Sequence, residues 1–251
     1  HVTSTVCTPS RYTFLTGRYA ASAYSAEFLE LFPKGQQSLP GFNVELEPDN
    51  QNVAAVLAKA GYATGMVGKF HVGPSLSDPK FRKRYGLHEI QKNDPFTEAL
   101  NRRKYENEKG YRKAVKDFGF TWAKNIYWDN TKAPFQNHNP EWTAAAAVEF
   151  IEQHKEEPFY LHYCTTLLHG PNGSWYKSLD KPKVTGEGII KEDLKVLPPR
   201  NSVMKRIEAA GLTSNQAGYL WMDDSLGLIL DKLDELKLTQ NTLVLFIADH
   251  G

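Results

Sequence analysis

The sequence predicts an α/β fold, with a mainly parallel central sheet flanked by helices. Three observations carry that expectation. Helix-like and strand-like segments alternate three times along the chain. The strand-like segments are short, continuous and apolar, the pattern of strands covered on both faces. Each runs directly into a polar loop bearing a histidine, at what should be the carboxyl edge of the sheet, where open α/β sheets place their ligands.

The elements follow in order. Gln51 to Ala60 places Val53, Val56, Leu57 and Ala60 at helical spacing, with Asn50 or Asn52 as cap and Gly61 as stop. Tyr62 to Val67 reads as a short strand ending at Gly68. Trp142 to His154 reads as a helix broken by Pro158, and Phe159 to Thr165 as a strong strand. Ser214 to Leu236 is a long helix, with Leu220, Leu226, Leu230 and Leu233 on its apolar side. Thr239 to Asn241 turns the chain into Leu243 to Ala248, expected as a buried strand. Asp223 and Asp224 lie inside the long helix on diverging positions and read as structural or solvated. Two stretches, about 74–135 and 177–200, are charged and aromatic. They read as insertions on the core, either solvated loops or walls of a substrate pocket.

Composition narrows the function. In 251 residues, 41% are hydrophobic and 24% charged, an ordinary globular balance. The net charge of +1 gives no general reason to expect nucleic acid or an anionic membrane as partner. No apolar run approaches the roughly 20 residues that span a bilayer. Two cysteines, Cys7 and Cys164, exclude a disulfide scaffold and a cysteine zinc cluster. Cys164, inside an apolar run, reads as a buried strand cysteine.

The polar residues gather after the strands. Gly68-Lys69-Phe70-His71, Leu168-His169-Gly170-Pro171 and Asp249-His250-Gly251 each deliver a histidine to the same predicted edge. One such histidine is unremarkable, but three in equivalent places point to one polar site. Asp249 and His250 offer metal ligands that need further carboxylates to complete a calcium or magnesium shell. Near the start, Cys7-Thr8-Pro9-Ser10-Arg11 is followed by Thr16-Gly17-Arg18. Pro9 suits the first turn of a helix. Cys7 would then stand at the positive end of the helix dipole, where backbone N–H groups favour an anion. Arg11, one turn on, can reach back towards it. By itself this describes a nucleophilic thiolate beside an anion site.

Cys-x-Pro-Ser-Arg followed by Thr-Gly-Arg resembles the signature of the type I sulfatases, in the alkaline phosphatase superfamily. The resemblance extends in order over the chain. Gly68-Lys69-Phe70-His71-x-Gly73 is similar to the family's Gly-Lys-aromatic-His-x-Gly element, His169-Gly170-Pro171 to its His-x-Pro element, and Asp249-His250 to its second metal element. The resemblance implies that Cys7 is oxidised to formylglycine by a maturation enzyme and serves as nucleophile and metal ligand. One hydroxyl of the hydrated aldehyde attacks sulfur, and the other allows sulfate to be expelled. It implies that Arg11 stabilises the hydroxylate, Lys69 binds a sulfate oxygen and His71 orients the formylglycine. It further implies that His169 contacts sulfate or protonates the leaving oxygen. Asp249 and His250 become ligands of a divalent metal, usually calcium, with magnesium the other choice.

The family's first metal element, a pair of Asp, and a second catalytic Lys downstream of Asp249-His250 have no counterpart here. The chain is therefore expected to be part of a catalytic domain, incomplete at both ends and inactive alone. The expected substrate is a sulfated carbohydrate, since the aromatic and cationic residues of the insertions suit sugar stacking and anionic groups. The alternatives are a formylglycine-dependent phosphonate or phosphodiester hydrolase and a non-catalytic binder of sulfated glycans. Export to the periplasm, the cell exterior or lysosomes is the expectation for such a protein. Neither a nucleic acid partner nor a membrane span is expected.

Overall fold

Residues 4–49, 51–169 and 175–249 are described by the structure, a computed structural model. The first helix, α1 (Cys7–Thr16), begins at the cysteine itself, with Pro9 inside the first turn. There its missing N–H is one that would lack a helical partner anyway. Gly17 ends α1 in the left-handed conformation, at φ 69°. A short α2 (Ala26–Leu31) follows, capped by Ser25. Next comes α3 (Val53–Lys59), whose cap is Asn52, accepting from the Ala55 N–H.

The central strand, β1 (Ala63–Lys69), is buried along its whole length. After it come α4 (Pro79–Tyr85), the 20-residue α5 (Glu98–Asp117) and β2 (Trp122–Tyr127). Then α6 (Pro140–Gln153) leads to β3 (Phe159–Cys164). The sheet order is β2-β1-β3, with both neighbours parallel to β1. A small hairpin, β4 (Val184–Thr185) with β5 (Gly188–Ile189), precedes α7 (Arg200–Ala209) and α8 (Ala217–Glu235). The fold is thus α/β, with a parallel sheet flanked by helices.

Alternation along β1 sends its side chains to two apolar clusters. Met66 joins Tyr12, Phe28, Ile126 and Trp128 on one face. On the other, Ala63 packs with Phe150, Ile151 and Leu233 of α6 and α8. Glycine at 65 is required there, because a Cβ would meet the Phe150 ring at 2.6 Å. Gly68 is tighter still. It has φ +88°, and a Cβ would stand 1.9 Å from the Cys164 carbonyl oxygen of β3.

Two expectations need correction. The stretch 74–135, read as an insertion, supplies a strand of the central sheet. β2 escaped the pattern because its sequence, WAKNIY, is broken by Lys124 and Asn125. Lys124 sits at the rim, paired with Glu149 at 2.5 Å. Asn125 has φ 56° and occupies a bulge, where the register jumps from Val67–Lys124 to Gly68–Ile126. Asparagine tolerates that left-handed backbone better than most residues. The second correction concerns Leu243 to Ala248. It forms no ladder among the described residues, and Leu243, Leu245 and Phe246 are 84%, 72% and 69% exposed. Apolar composition signals burial, but a strand also needs a neighbour to pair with and an element to cover it. Asp223 is exposed and Asp224 is paired with Arg206, as the long helix implied.

The segment before α3 is pinned by charge. Glu47 accepts from the Tyr12 hydroxyl at 2.8 Å and pairs with Arg18 at 2.8 Å. Glu45, half-buried beside it, is pushed up to about 7, first by burial and then by Glu27. The folded chain holds this proton more tightly than the unfolded chain does. Its stabilising effect is complete below the ordinary carboxylate range and is lost as pH rises through about 7. Glu45→Gln in the full-length protein is expected to raise stability at pH 8 by about 1–2 kcal/mol, or roughly 2–8 °C in Tm. Little gain is expected at pH 4. Melting curves at both pH values check this, and equal shifts at the two would refute it.

Candidate active site

The site begins at the N-terminus of α1. Cys7 is 2% exposed, and its Sγ lies 3.2 Å from His71 Nδ1. The free N–H groups of the first turn and the helix dipole make this a place for negative charge. Lys69, the last residue of β1, is buried and acts electrostatically with Cys7. Burial, and then Arg11, lower the pKa of Lys69, while Cys7 and Asp249 partly offset them.

Arg11 lies one turn into α1, as its spacing implied. Its guanidinium donates to the Lys69 carbonyl at 2.7 Å and pairs with Asp249 at 2.7 Å, and its charge acts with Cys164. Burial alone would lower the pKa of Arg11, but Cys164 and Asp249 raise it. Of the two cations, Lys69 is the one whose charge acts with Cys7, while Arg11 ties the helix to the end of β1. Two buried polar atoms beside Cys7, Thr8 Oγ1 and Arg11 Nε, have no partner among the described residues. Orphaned polar groups cost stability when buried and signal that the site is built for a polar occupant.

His71 has a left-handed backbone, φ 55°, stabilised by its N–H donating to the Trp128 carbonyl at 2.9 Å. Burial, with Lys69 and Arg11 adding to it, pushes the imidazole down to about 3, so it is neutral near pH 7. Its Nε2 is 3.8 Å from Asp129 Oδ1. Asp129 was missed in the sequence because β2 was missed. Once β2 is recognised, Trp128-Asp129-Asn130 becomes a further loop at the same sheet edge.

His169 follows β3 and donates its N–H to the Thr166 carbonyl at 3.1 Å. Its charge acts on both His71 and His138. His138, also missed, is buried with Nδ1 2.9 Å from Thr166 Oγ1, and burial pushes it down to about 4. It precedes a helix rather than following a strand, so no strand-end signal marked it. Cys164 is half-buried at the end of β3. Burial pushes its thiol up, but His162 and Arg11 more than offset this and bring it down to about 6. Cys164, expected as a buried strand cysteine, does end a strand and packs against the main apolar cluster, but it is half-buried.

The structure thus brings Cys7, Arg11, Lys69, His71 and Asp249 together, with His169 near them. His250, Gly170 and Pro171 lie outside the described residues. An oxygen in place of Cys7 Sγ fits these surroundings, since Lys69 and His71 already converge there. A divalent metal is not completed in the same way. Asp249 is engaged by Arg11, and no three His, Cys, Asp or Glu converge to hold an ion among the described residues. Any ion held by Asp249 and Cys7 needs further donors.

A parallel sheet whose carboxyl edge gathers a buried cysteine, two cations and a neutral imidazole defines the class, an α/β protein with a polar, cationic cluster at its sheet edge. The family follows from comparison. The Sulfatase family model matches residues 1–251, and the chain belongs to the sulfatase family. It is 27% identical to an arylsulfatase of Hemicentrotus pulcherrimus, covering 100% of this chain and 39% of that protein. It is 24% identical to an N-acetylgalactosamine-6-O-sulfatase of Bacteroides thetaiotaomicron, covering 100% of this chain and 50% of that one. A solved Bacteroides thetaiotaomicron structure, described in connection with metabolism of multiple glycosaminoglycans, has the same fold at TM-score 0.52 and 19% identity. That match covers 96% of this chain and 52% of the other. The chain spans about half or less of the length of these curated relatives.

Proposed function

We propose that the whole protein hydrolyses sulfate esters of a sulfated carbohydrate, with formylglycine formed from Cys7. The observation that carries this reading is the convergence of Lys69 and His71 on Cys7 Sγ at the N-terminus of α1. Names among the relatives support the substrate class. They include the N-acetylgalactosamine-6-O-sulfatase, an endo-4-O-sulfatase and an ulvan-active sulfatase.

Formylglycine, when formed, supplies a hydrated aldehyde whose oxygen attacks sulfur. The residues do the rest. Lys69 and Arg11 offset negative charge on the sulfate oxygens as the transition state develops. Neutral His71 accepts a hydrogen bond or a proton at Nδ1 and orients the attacking oxygen, with Asp129 at its other nitrogen. His169 delivers a proton to the leaving oxygen, since an alkoxide leaves poorly. Asp249 and His250, with donors from elsewhere, are the proposed ligands of a divalent ion, calcium by family habit. A formylglycine-generating enzyme is the implied maturation partner. We also propose export. A relative named as an extracellular sulfatase supports it, and among the described residues no helix is long and apolar enough to cross a membrane.

The test is the mass of the peptide carrying Cys7, taken from full-length protein made beside a maturation enzyme. A mass lower by the difference between a thiol and an aldehyde is expected. An unmodified cysteine would remove the nucleophile and sink this mechanism. Rates on aryl sulfate and aryl phosphonate then separate sulfur from phosphorus chemistry, and sulfate should be the faster.

A further inference from the structure

A cavity of about 300 Å³ opens beside the site at the carboxyl end of β2. Asp129 and Lys132 line it and also belong to the surroundings of His71. Asp129 lies 3.8 Å from the imidazole, and the charge of Lys132 acts on it. Asp129 and Lys132 therefore stand between the cavity and the His71 imidazole, and the cavity's size is at the small end for ligand pockets.

Its walls combine aromatic faces and charge. Tyr111, Trp128 and Phe135 line it with a small apolar surface and are otherwise buried. Most of the charges are already spent. Arg82 pairs with Glu89 at 3.0 Å, and Lys132 with Asp129 at 2.9 Å. Lys104 is the exception. It lines the cavity, half-buried, with its ammonium 5.2 Å from the centre of the Phe135 ring. Among the described residues it makes no ion pair or hydrogen bond. Glu108, whose charge it feels, is tied to Arg112 at 2.6 Å and to the Ile126 N–H at 3.1 Å. Burial pushes Lys104 down to about 8. An ammonium desolvated with only an aromatic face beside it is costly, and a bound anion would relieve that cost.

We propose that this cavity receives the sugar bearing the scissile sulfate, and that Lys104 recognises a second anionic group, sulfate or carboxylate, on that sugar. The inference rests on the sulfatase reading and names a narrower substrate class, the multiply anionic glycan. Lys104 is a specificity residue in this account and takes no part in bond breaking.

The experiment uses matured, full-length protein and two probes, a monosulfated and a disulfated N-acetylhexosamine sharing the scissile position. Lys104→Met is expected to lower the ratio of kcat/KM for the disulfated over the monosulfated sugar by ~10–100-fold, mainly through KM, the worth of one charge-assisted hydrogen bond. Lys104→Arg should keep most of the ratio. Should Lys104→Met fail to fold, Lys104→Gln removes the charge while keeping a polar end. An unchanged ratio in the charge-removing variant overturns the inference and leaves the sulfatase reading standing. Cleavage of neither sugar by the wild type sinks the sulfatase reading instead. Kd values measured on the Cys7→Ala protein then decide the inference. A disulfate preference lost with Lys104 sustains it, and equal Kd values overturn it.

Discussion

Cys7→Ala in full-length, matured protein is expected to lower kcat for sulfate-ester hydrolysis by at least ~10³-fold, the scale seen when a covalent nucleophile is removed. KM should move far less, because Lys69, Arg11 and the N-terminus of α1 remain to hold the sulfate. The fold should survive. Cys7 is buried, but Ala fills most of its space, and the ties of α1 to the sheet run through Arg11 rather than through the thiol. Steady-state kinetics beside a melting curve check both statements. A variant that retains even a tenth of the wild-type kcat would mean that the attacking atom lies elsewhere. Cys7→Ser is the sharper companion. It restores one hydroxyl but not two, so it should not restore turnover.

Glu141→Ala is expected to be the most damaging single change to stability, at about 3–5 kcal/mol, or roughly 6–20 °C in Tm. Glu141, in the first turn of α6, is 4% exposed. It receives Arg200 of α7 in a two-pronged contact, at 2.9 and 2.7 Å. It also accepts from the Trp221 indole of α8 at 3.2 Å. The Arg200 guanidinium stacks over that indole, 4.7 Å from its centre. One carboxylate therefore joins three helices away from water. Removing it strands a buried guanidinium and an indole N–H, and that penalty exceeds the value of the pair itself. The double variant Glu141→Leu with Arg200→Met should recover much of the loss, because no unpaired charge remains. Denaturation of the single and double variants tests this. Equal damage in both would show that the loss came from packing alone.

Much of the site was legible because strands announce their own ends. Val67 and Thr165 read as strand ends and Ala248 as the end of an apolar run, and the polar residues after them could be read as one edge. Cys7 was legible for a different reason, since Pro9 and Arg11 mark the first turn of a helix. Residues that depend on a strand without an apolar run stayed hidden. Asp129 follows β2, whose Lys124 and Asn125 serve a rim ion pair and a bulge rather than a core. Cys164 was legible as a strand cysteine from its apolar neighbours, but local sequence could not show that the charge of Arg11 of α1, far away in the chain, acts on its thiol. Leu243 to Ala248 misled in the opposite direction, since composition cannot supply the neighbour a strand needs.

The tie between Arg11, the Lys69 carbonyl and Asp249 also sets a clock. Arg11 meets a strand 58 residues later and then a carboxylate near the far end of the sequence. A ribosome adding about 5–20 residues per second needs some 10–50 s to deliver that last partner. Through that interval Arg11 has one of its two partners at most, although Tyr12 already meets Glu47. For the proposed oxidation of Cys7, a side chain 2% exposed in the finished fold, the nascent chain is the easier substrate.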